Sequence, residues 1–162
     1  MNKILIINTG GTFNKSYNTK NGMLEIDKNA TALKALAKKW LCALEIVNII
    51  DKDSLEMTNQ DRLELLGTIS QAKHKHIIVV HGTDTMDVTA TYLNEAELDK
   101  CIVLTGAMMP YSIDPVEATA NLASAFGYLQ ALNKNGVYIS MNGRLDIYSK
   151  VKKDRTKGYF TL

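Results

Sequence analysis

The run Ile77-Ile78-Val79-Val80 enters His81-Gly82-Thr83-Asp84-Thr85-Met86 without a spacer, and no other junction in the chain limits its folding as much. Consecutive β-branched residues describe a strand buried on both faces, as in a parallel sheet. Glycine, threonine and aspartate directly after it make a tight polar turn, with Thr83 or Asp84 as the expected helix N-cap. A strand that feeds a helix this abruptly is one unit of an α/β sheet. At the carboxyl edge of such a sheet, the N–H groups of the following helices point outward and ligands bind.

The same unit recurs along the chain. Ile4 to Asn8 reads as a first strand that runs directly into Thr9-Gly10-Gly11-Thr12, where adjacent glycines permit a sharp bend and a close approach. The segment Phe13 to Asp27 follows neither the helical nor the strand period and is expected to be a mobile loop over that edge. A helix is predicted from about Asn29 to Lys39, a second inner strand over Leu44–Ile50, and a helix from the cap Thr58 to about Ala72. Beyond the central strand come a helix over Thr85–Glu95, a strand over Cys101–Thr105, a helix from about Val116 to Leu132 and a strand over Gly136–Met141. Asn142 to Leu162 reads as a basic tail. Strands alternating with helices specify a three-layer α/β/α domain with a mostly parallel, flavodoxin-like or Rossmann-like sheet, because right-handed crossovers cover both faces.

The length of 162 residues and a 46% hydrophobic content suit a single domain over residues 1–162. A formal charge of +2 requires neither nucleic acid nor a membrane surface as partner. The apolar run near the amino terminus is too short for a signal peptide, so a cytoplasmic location is expected. Cys42 and Cys101 are isolated within or beside apolar runs and read as buried thiols. His74 and His76 flank Lys75 in what reads as a solvated turn, no metal site is expected, and His81 reads as structural.

Thr12, Ser54 and Thr83 bring hydroxyls to one sheet edge, Asp84 adds a carboxylate and the basic tail can add a lysine. A threonine hydroxyl is a poor nucleophile until a base takes its proton, so threonine, lysine and aspartate together are suitable parts for acyl transfer. Thr9-Gly10-Gly11-Thr12 and His81-Gly82-Thr83-Asp84-Thr85-Met86, in this order, resemble the amino-terminal domain of bacterial-type L-asparaginases. The likeness continues through Asp53-Ser54-Leu55-Glu56-Met57-Thr58, through Gly106-Ala107-Met108 with Asn121-Leu122, and into Asn142-Gly143 with the segment from Val151 to Thr156.

The resemblance implies hydrolysis of a side-chain amide without a cofactor, with Thr12 as nucleophile and Thr83, Lys153 and Asp84 as a second catalytic group. It implies that Ser54 and Asp84 hold the substrate's α-carboxylate and α-amino group, that the backbone of Gly11, Gly82 and Ala107 lines the pocket, and that the chains form a homo-oligomer. Lys150 and Lys152 stand within three residues of Lys153. The family's loop tyrosine is matched by Tyr17, which comes early, while Met23 occupies the place after Gly22. Leu55 replaces a usual Gln or Ser, and Met109 a common arginine. Full-length members continue into a second domain, so a short form lacking it is expected. A non-catalytic binding or interaction domain is the alternative. A flavin or phosphate site ranks below both, because Asp84 would repel an anion.

Overall fold

The computed structural model describes residues 3–40 and 44–162; Cys42 lies outside them. The elements are β1 (Ile4–Gly10), β2 (Lys15–Asn18), β3 (Met23–Ile26), α1 (Thr31–Trp40), β4 (Leu44–Lys52), α2 (Asn59–Gln71), β5 (His76–Val80), α3 (Met86–Glu95), β6 (Cys101–Thr105), α4 (Pro115–Ala131), β7 (Gly136–Met141), β8 (Arg144–Ile147), β9 (Lys152–Asp154) and β10 (Tyr159–Thr161). The main sheet runs in the order β4-β1-β5-β6-β7-β8. All its pairings are parallel except that of β7 with β8.

Alternation along the inner strands divides the apolar residues between two layers. Leu5, Ile7, Ile77, Val79, Ile102 and Leu104 face α2 and α3, where they meet Leu65, Ile69, Met86, Ala90 and Leu93. Ile4, Ile6, Ile78, Val80 and Val103 face α1 and α4, against Leu33, Leu36, Leu122, Ala125 and Leu129. β1 and β5 are buried on both faces for this reason, and each aliphatic side chain so enclosed contributes about 1.5–3 kcal/mol. The winding of the sheet reverses between β1 and β5, so their carboxyl ends open a crevice at the switch point.

Three local expectations are corrected. The segment from Phe13 to Asp27 contains the antiparallel hairpin β2–β3, in register from Lys15 opposite Ile26 to Asn18 opposite Met23. Both its faces are largely exposed, so no apolar alternation marks it. Asn18 and Asn21 instead hold Glu25 at 2.9 and 2.6 Å. β4 is an edge strand rather than an inner one, and Glu45, at an exposed strand position, is the sequence sign of it. The basic tail carries β8, β9 and β10. Asn142 (φ 51°) and Gly143 (φ 74°) form a two-residue hairpin turn between Met141 and Arg144, the geometry that an Asn-Gly pair favours.

His74 is not a freely solvated residue, since its side chain is mostly covered and Nε2 lies 3.3 Å from Glu45 Oε2. Cys101 is buried. Among the described residues, no helix is long and apolar enough to cross a membrane.

Candidate active site

The turns after β1, β4 and β5 meet because two glycines let their backbones touch. At Gly11 (φ +75°), an added Cβ would lie 2.5 Å from the Gly82 nitrogen. At Gly82 it would lie 2.6 Å from Ser54 Cβ. Both distances are below any real Cβ contact, so any larger residue would separate the turns. Thr12 and Thr83 each stand one residue beyond the Gly11–Gly82 contact, and Ser54 stands against it. Gly11 is held further by its N–H, which donates to Lys52 O at 3.0 Å.

Thr12 heads a short 3-10 turn and is half-buried, and its hydroxyl has no hydrogen-bond partner among the described residues. Asn14, two residues on, fastens this turn by donating to Asn8 Oδ1 at 2.8 Å and Gly10 O at 2.7 Å. Thr83 is buried, and its Oγ1 accepts from Lys153 Nζ at 2.9 Å. The same ammonium donates to Asp84 Oδ1 at 2.7 Å. Arg155 adds a second cation to Asp84 Oδ1 at 2.9 Å, and its Nη2 donates to Asp84 O at 2.7 Å. Lys153 foremost, then Arg155, holds the Asp84 carboxyl below its ordinary range against the opposing effect of burial.

Lys153 is thus the lysine at this site. Lys150 pairs instead with Asp146 at 3.6 Å, and Lys152 is exposed. β9 reaches the site because Val151 and Phe160 on either side of the β9–β10 hairpin are buried in the core, and Phe160 N–H donates to Asn142 Oδ1 at 3.0 Å. Thr83 and Asp84 do not cap α3. The N-cap is Thr85, which makes no side-chain cap bond because its hydroxyl donates to Ser54 O at 2.8 Å. The Thr85 N–H donates to Ser54 Oγ at 3.2 Å, and Ser54 is buried at the start of its turn.

The remaining expected positions are less closely engaged. Ala107 is fully buried with its methyl in the α1–α4 layer, so only its backbone is available to a ligand. Tyr17 sits on the exposed hairpin with its hydroxyl near Gly22, and that hydroxyl makes no hydrogen bond among the described residues. Leu55 is 72% exposed beside Ser54.

Four residues support the site, three of them without any signal in the sequence. Lys15 ties the hairpin to the Ser54 turn through Asp53 at 2.9 Å and lowers that carboxyl, against burial and the charge of Asp84. Glu117 receives the N–H groups of Met108 and Met109 at 2.9 Å each, fixing the turn after β6. Asn121 joins that turn to the β7–β8 hairpin, donating to Gly106 O at 2.9 Å and accepting from Asn142 N–H at 3.0 Å. The fourth, Arg62, is buried beneath Thr85. The Asn121-Leu122 spacing was a partial clue; Lys15 lies 38 residues from Asp53 and Arg62 lies 23 and 27 from Thr85 and Thr89, while Glu117 is nearer its turn but carries no local pattern that marks the bonds.

An acceptor-poor hydroxyl on one glycine turn, set beside a Lys–Thr–Asp cluster on the next, can add to a carbonyl and move protons locally. Known proteins share this fold. A glutaminase-asparaginase of Acinetobacter glutaminasificans is 29% identical, covering 97% of this chain and 50% of its own length. L-asparaginase 2 of Bacillus subtilis is 28% identical over 94% of this chain and 44% of its own. The crystal structure of a probable cytoplasmic L-asparaginase from Campylobacter jejuni superposes with a TM-score of 0.82 at 28% identity, covering 99% of this chain and 53% of its own. The chain therefore spans about half the length of the curated relatives it matches. Residues 3–161 match the family described as Asparaginase, N-terminal, and the chain belongs to that family.

Proposed function

We propose that the chain is an amidohydrolase domain that releases ammonia from asparagine or a related small amide through an acyl-enzyme on Thr12. The observation that carries this reading is Lys153 Nζ at 2.9 Å from Thr83 Oγ1 and 2.7 Å from Asp84 Oδ1, beside the turn that bears the Thr12 hydroxyl, which has no partner among the described residues. Thr12 Oγ1 adds to the amide carbon. The developing oxyanion takes N–H donors from Thr12 and Thr83, since that of Gly11 is already bound to Lys52 O.

Lys153 lends a proton through Thr83 to the leaving nitrogen, and the proton lost by Thr12 restores it. Ammonia departs with both protons accounted for. In the second half, water gives a proton along the same Thr83–Lys153 route as its oxygen attacks the ester, and Thr12 regains its hydrogen. Asp84 keeps the ammonium in place. Ser54 and Asp84 are the contacts for the substrate's carboxylate and amino group, with Gly11, Gly82 and Ala107 along the wall and Tyr17 standing for the family's loop tyrosine. The reading treats residues 1–162 as one domain of a cytoplasmic homo-oligomer.

Ammonia release is measured across asparagine, glutamine and small peptide amides, with Thr12→Ala as the control. Turnover by the wild type and none by Thr12→Ala is expected, and equal turnover by both removes Thr12 from the reaction. Exposed Leu55, which supplies no polar contact beside Ser54, favours a binding-only alternative. Calorimetric binding of asparagine or aspartate with no ammonia released would establish that alternative.

A further inference from the structure

Arg62 on α2 is 5% exposed, yet no carboxylate among the described residues pairs with it. Its partners are neutral and belong to both sides of the site. Nη1 donates to Met57 O at 3.3 Å, at the end of the Ser54 turn. Nη2 donates to Thr85 Oγ1 at 3.2 Å and Nε to Thr89 Oγ1 at 3.0 Å, both beyond Thr83–Asp84. A guanidinium has only donors, so both threonines accept from it, and the carbonyl oxygens of Ser54 and Gly82 at the far ends, which only accept, set the direction of the bonds beyond.

Thr85 must accept from Arg62 and then donate to Ser54 O at 2.8 Å. Gly82 O, 2.6 Å from His81 Nδ1, can only accept, so the neutral ring carries its proton on Nδ1 and Nε2 accepts from Thr89 Oγ1 at 2.8 Å; Thr89 in turn accepts from Arg62. Burial above all, with a smaller contribution from the positive charge of Arg62, pushes His81 down to about 4 and keeps its ring neutral; the bond to the Gly82 backbone and, less, the negative charge of Asp87 oppose this. Two polarised chains therefore leave one buried cation. One ends on the Ser54 backbone and the other on the Gly82 backbone.

We propose that Arg62 is a positioning residue whose fork clamps the Ser54 turn onto the Thr83–Asp84 turn. This rests on the reading of the site given above for its effect on turnover, though the clamp itself is independent of any reaction. A single charge without the fork does not suffice, because one ammonium lacks the planar geometry to serve Met57, Thr85 and Thr89 together.

The test uses the full chain with Arg62→Met and Arg62→Lys. Amide hydrogen exchange is read at the Thr85 N–H, whose acceptor is Ser54 Oγ across the two turns. Local opening should speed exchange there by about tenfold or more in both variants. Exchange within β1 and β6 should stay at the wild-type rate. With asparagine, KM should rise more than kcat falls, because Ser54 moves while Thr83, Asp84 and Lys153 keep their own bonds.

Wild-type exchange at Thr85 in a folded Arg62→Met protein overturns the clamp. Wild-type exchange in Arg62→Lys overturns the requirement for the fork, and serves as the deciding variant where methionine prevents folding. If the wild type releases no ammonia, the functional reading fails, and exchange at Thr85 still decides the role of Arg62.

Discussion

Replacing Lys153 with methionine keeps a straight side chain and removes two hydrogen bonds at once, those to Thr83 Oγ1 at 2.9 Å and to Asp84 Oδ1 at 2.7 Å. Arg155 stays 2.9 Å from the same Asp84 oxygen, so the carboxylate is not orphaned. Charge-assisted bonds in a partly exposed pair then cost about 1–2 kcal/mol of folding stability, below the roughly 3–5 kcal/mol of a buried charge left alone. Catalysis should lose more than stability does. A positioned proton donor contributes about 10²- to 10⁴-fold, and ammonia release should fall by a factor in that range.

Acid unfolding checks the electrostatics separately. The Asp84 carboxyl is lowered in the folded state, first by Lys153, so its contribution to stability is present above its unfolded value and lost as pH falls through the folded one. In Lys153→Met the folded value rises, so a smaller loss ends at a higher pH. Ammonia assays, thermal melts and acid titrations of Lys153→Met are compared with Lys150→Met and Lys152→Met. Full activity in Lys153→Met, or an equal drop in Lys152→Met, would refute the assignment of the proton route to Lys153.

Gly82→Ala sets a methyl 2.6 Å from Ser54 Cβ, so ammonia release should disappear and the melting temperature should fall, whereas wild-type turnover would mean that the turns need not touch. Thr58→Ala breaks the reciprocal cap in which Thr58 and Asp61 satisfy each other's backbone N–H groups, and should cost about 1 kcal/mol in urea unfolding with no effect on the site. His81, lowered from 6.5 to about 4, binds its proton more readily unfolded than folded, so its share of stability is present above pH 6.5 and lost as pH falls towards about 4. Urea midpoints followed through that window should decline less steeply in His81→Gln than in the wild type, and parallel declines would show that His81 does not titrate on unfolding.

Much of the architecture was legible because it rests on local pattern. The β-branched runs of β1, β5 and β6, the helical faces between them and the cap Thr58 each act over a few residues, so composition and periodicity suffice to find them. The hairpin β2–β3 escaped notice because its stability lies in Asn–Glu bonds and backbone pairing, neither of which leaves an apolar period. The tail was misread for a related reason. Its strands are short, β9 is charged outward, and among the described residues only Val151 and Phe160 of the tail are fully buried, with Tyr148 packed beside them.

What the sequence by itself determined is the parallel sheet and the arrival of Thr12, Ser54 and Thr83 at one edge, since strand direction and crossover handedness leave no other outcome. Tertiary structure alone decided which lysine meets Thr83, because the pairing spans 70 residues and depends on how the buried flanks of β9 seat it. It alone decided that Thr83 and Asp84 leave the cap of α3 to Thr85, and that a guanidinium with no carboxylate partner among the described residues bonds to both turns. Distances of 2.7 to 3.3 Å among these groups come from packing across the whole domain, and no local preference encodes them.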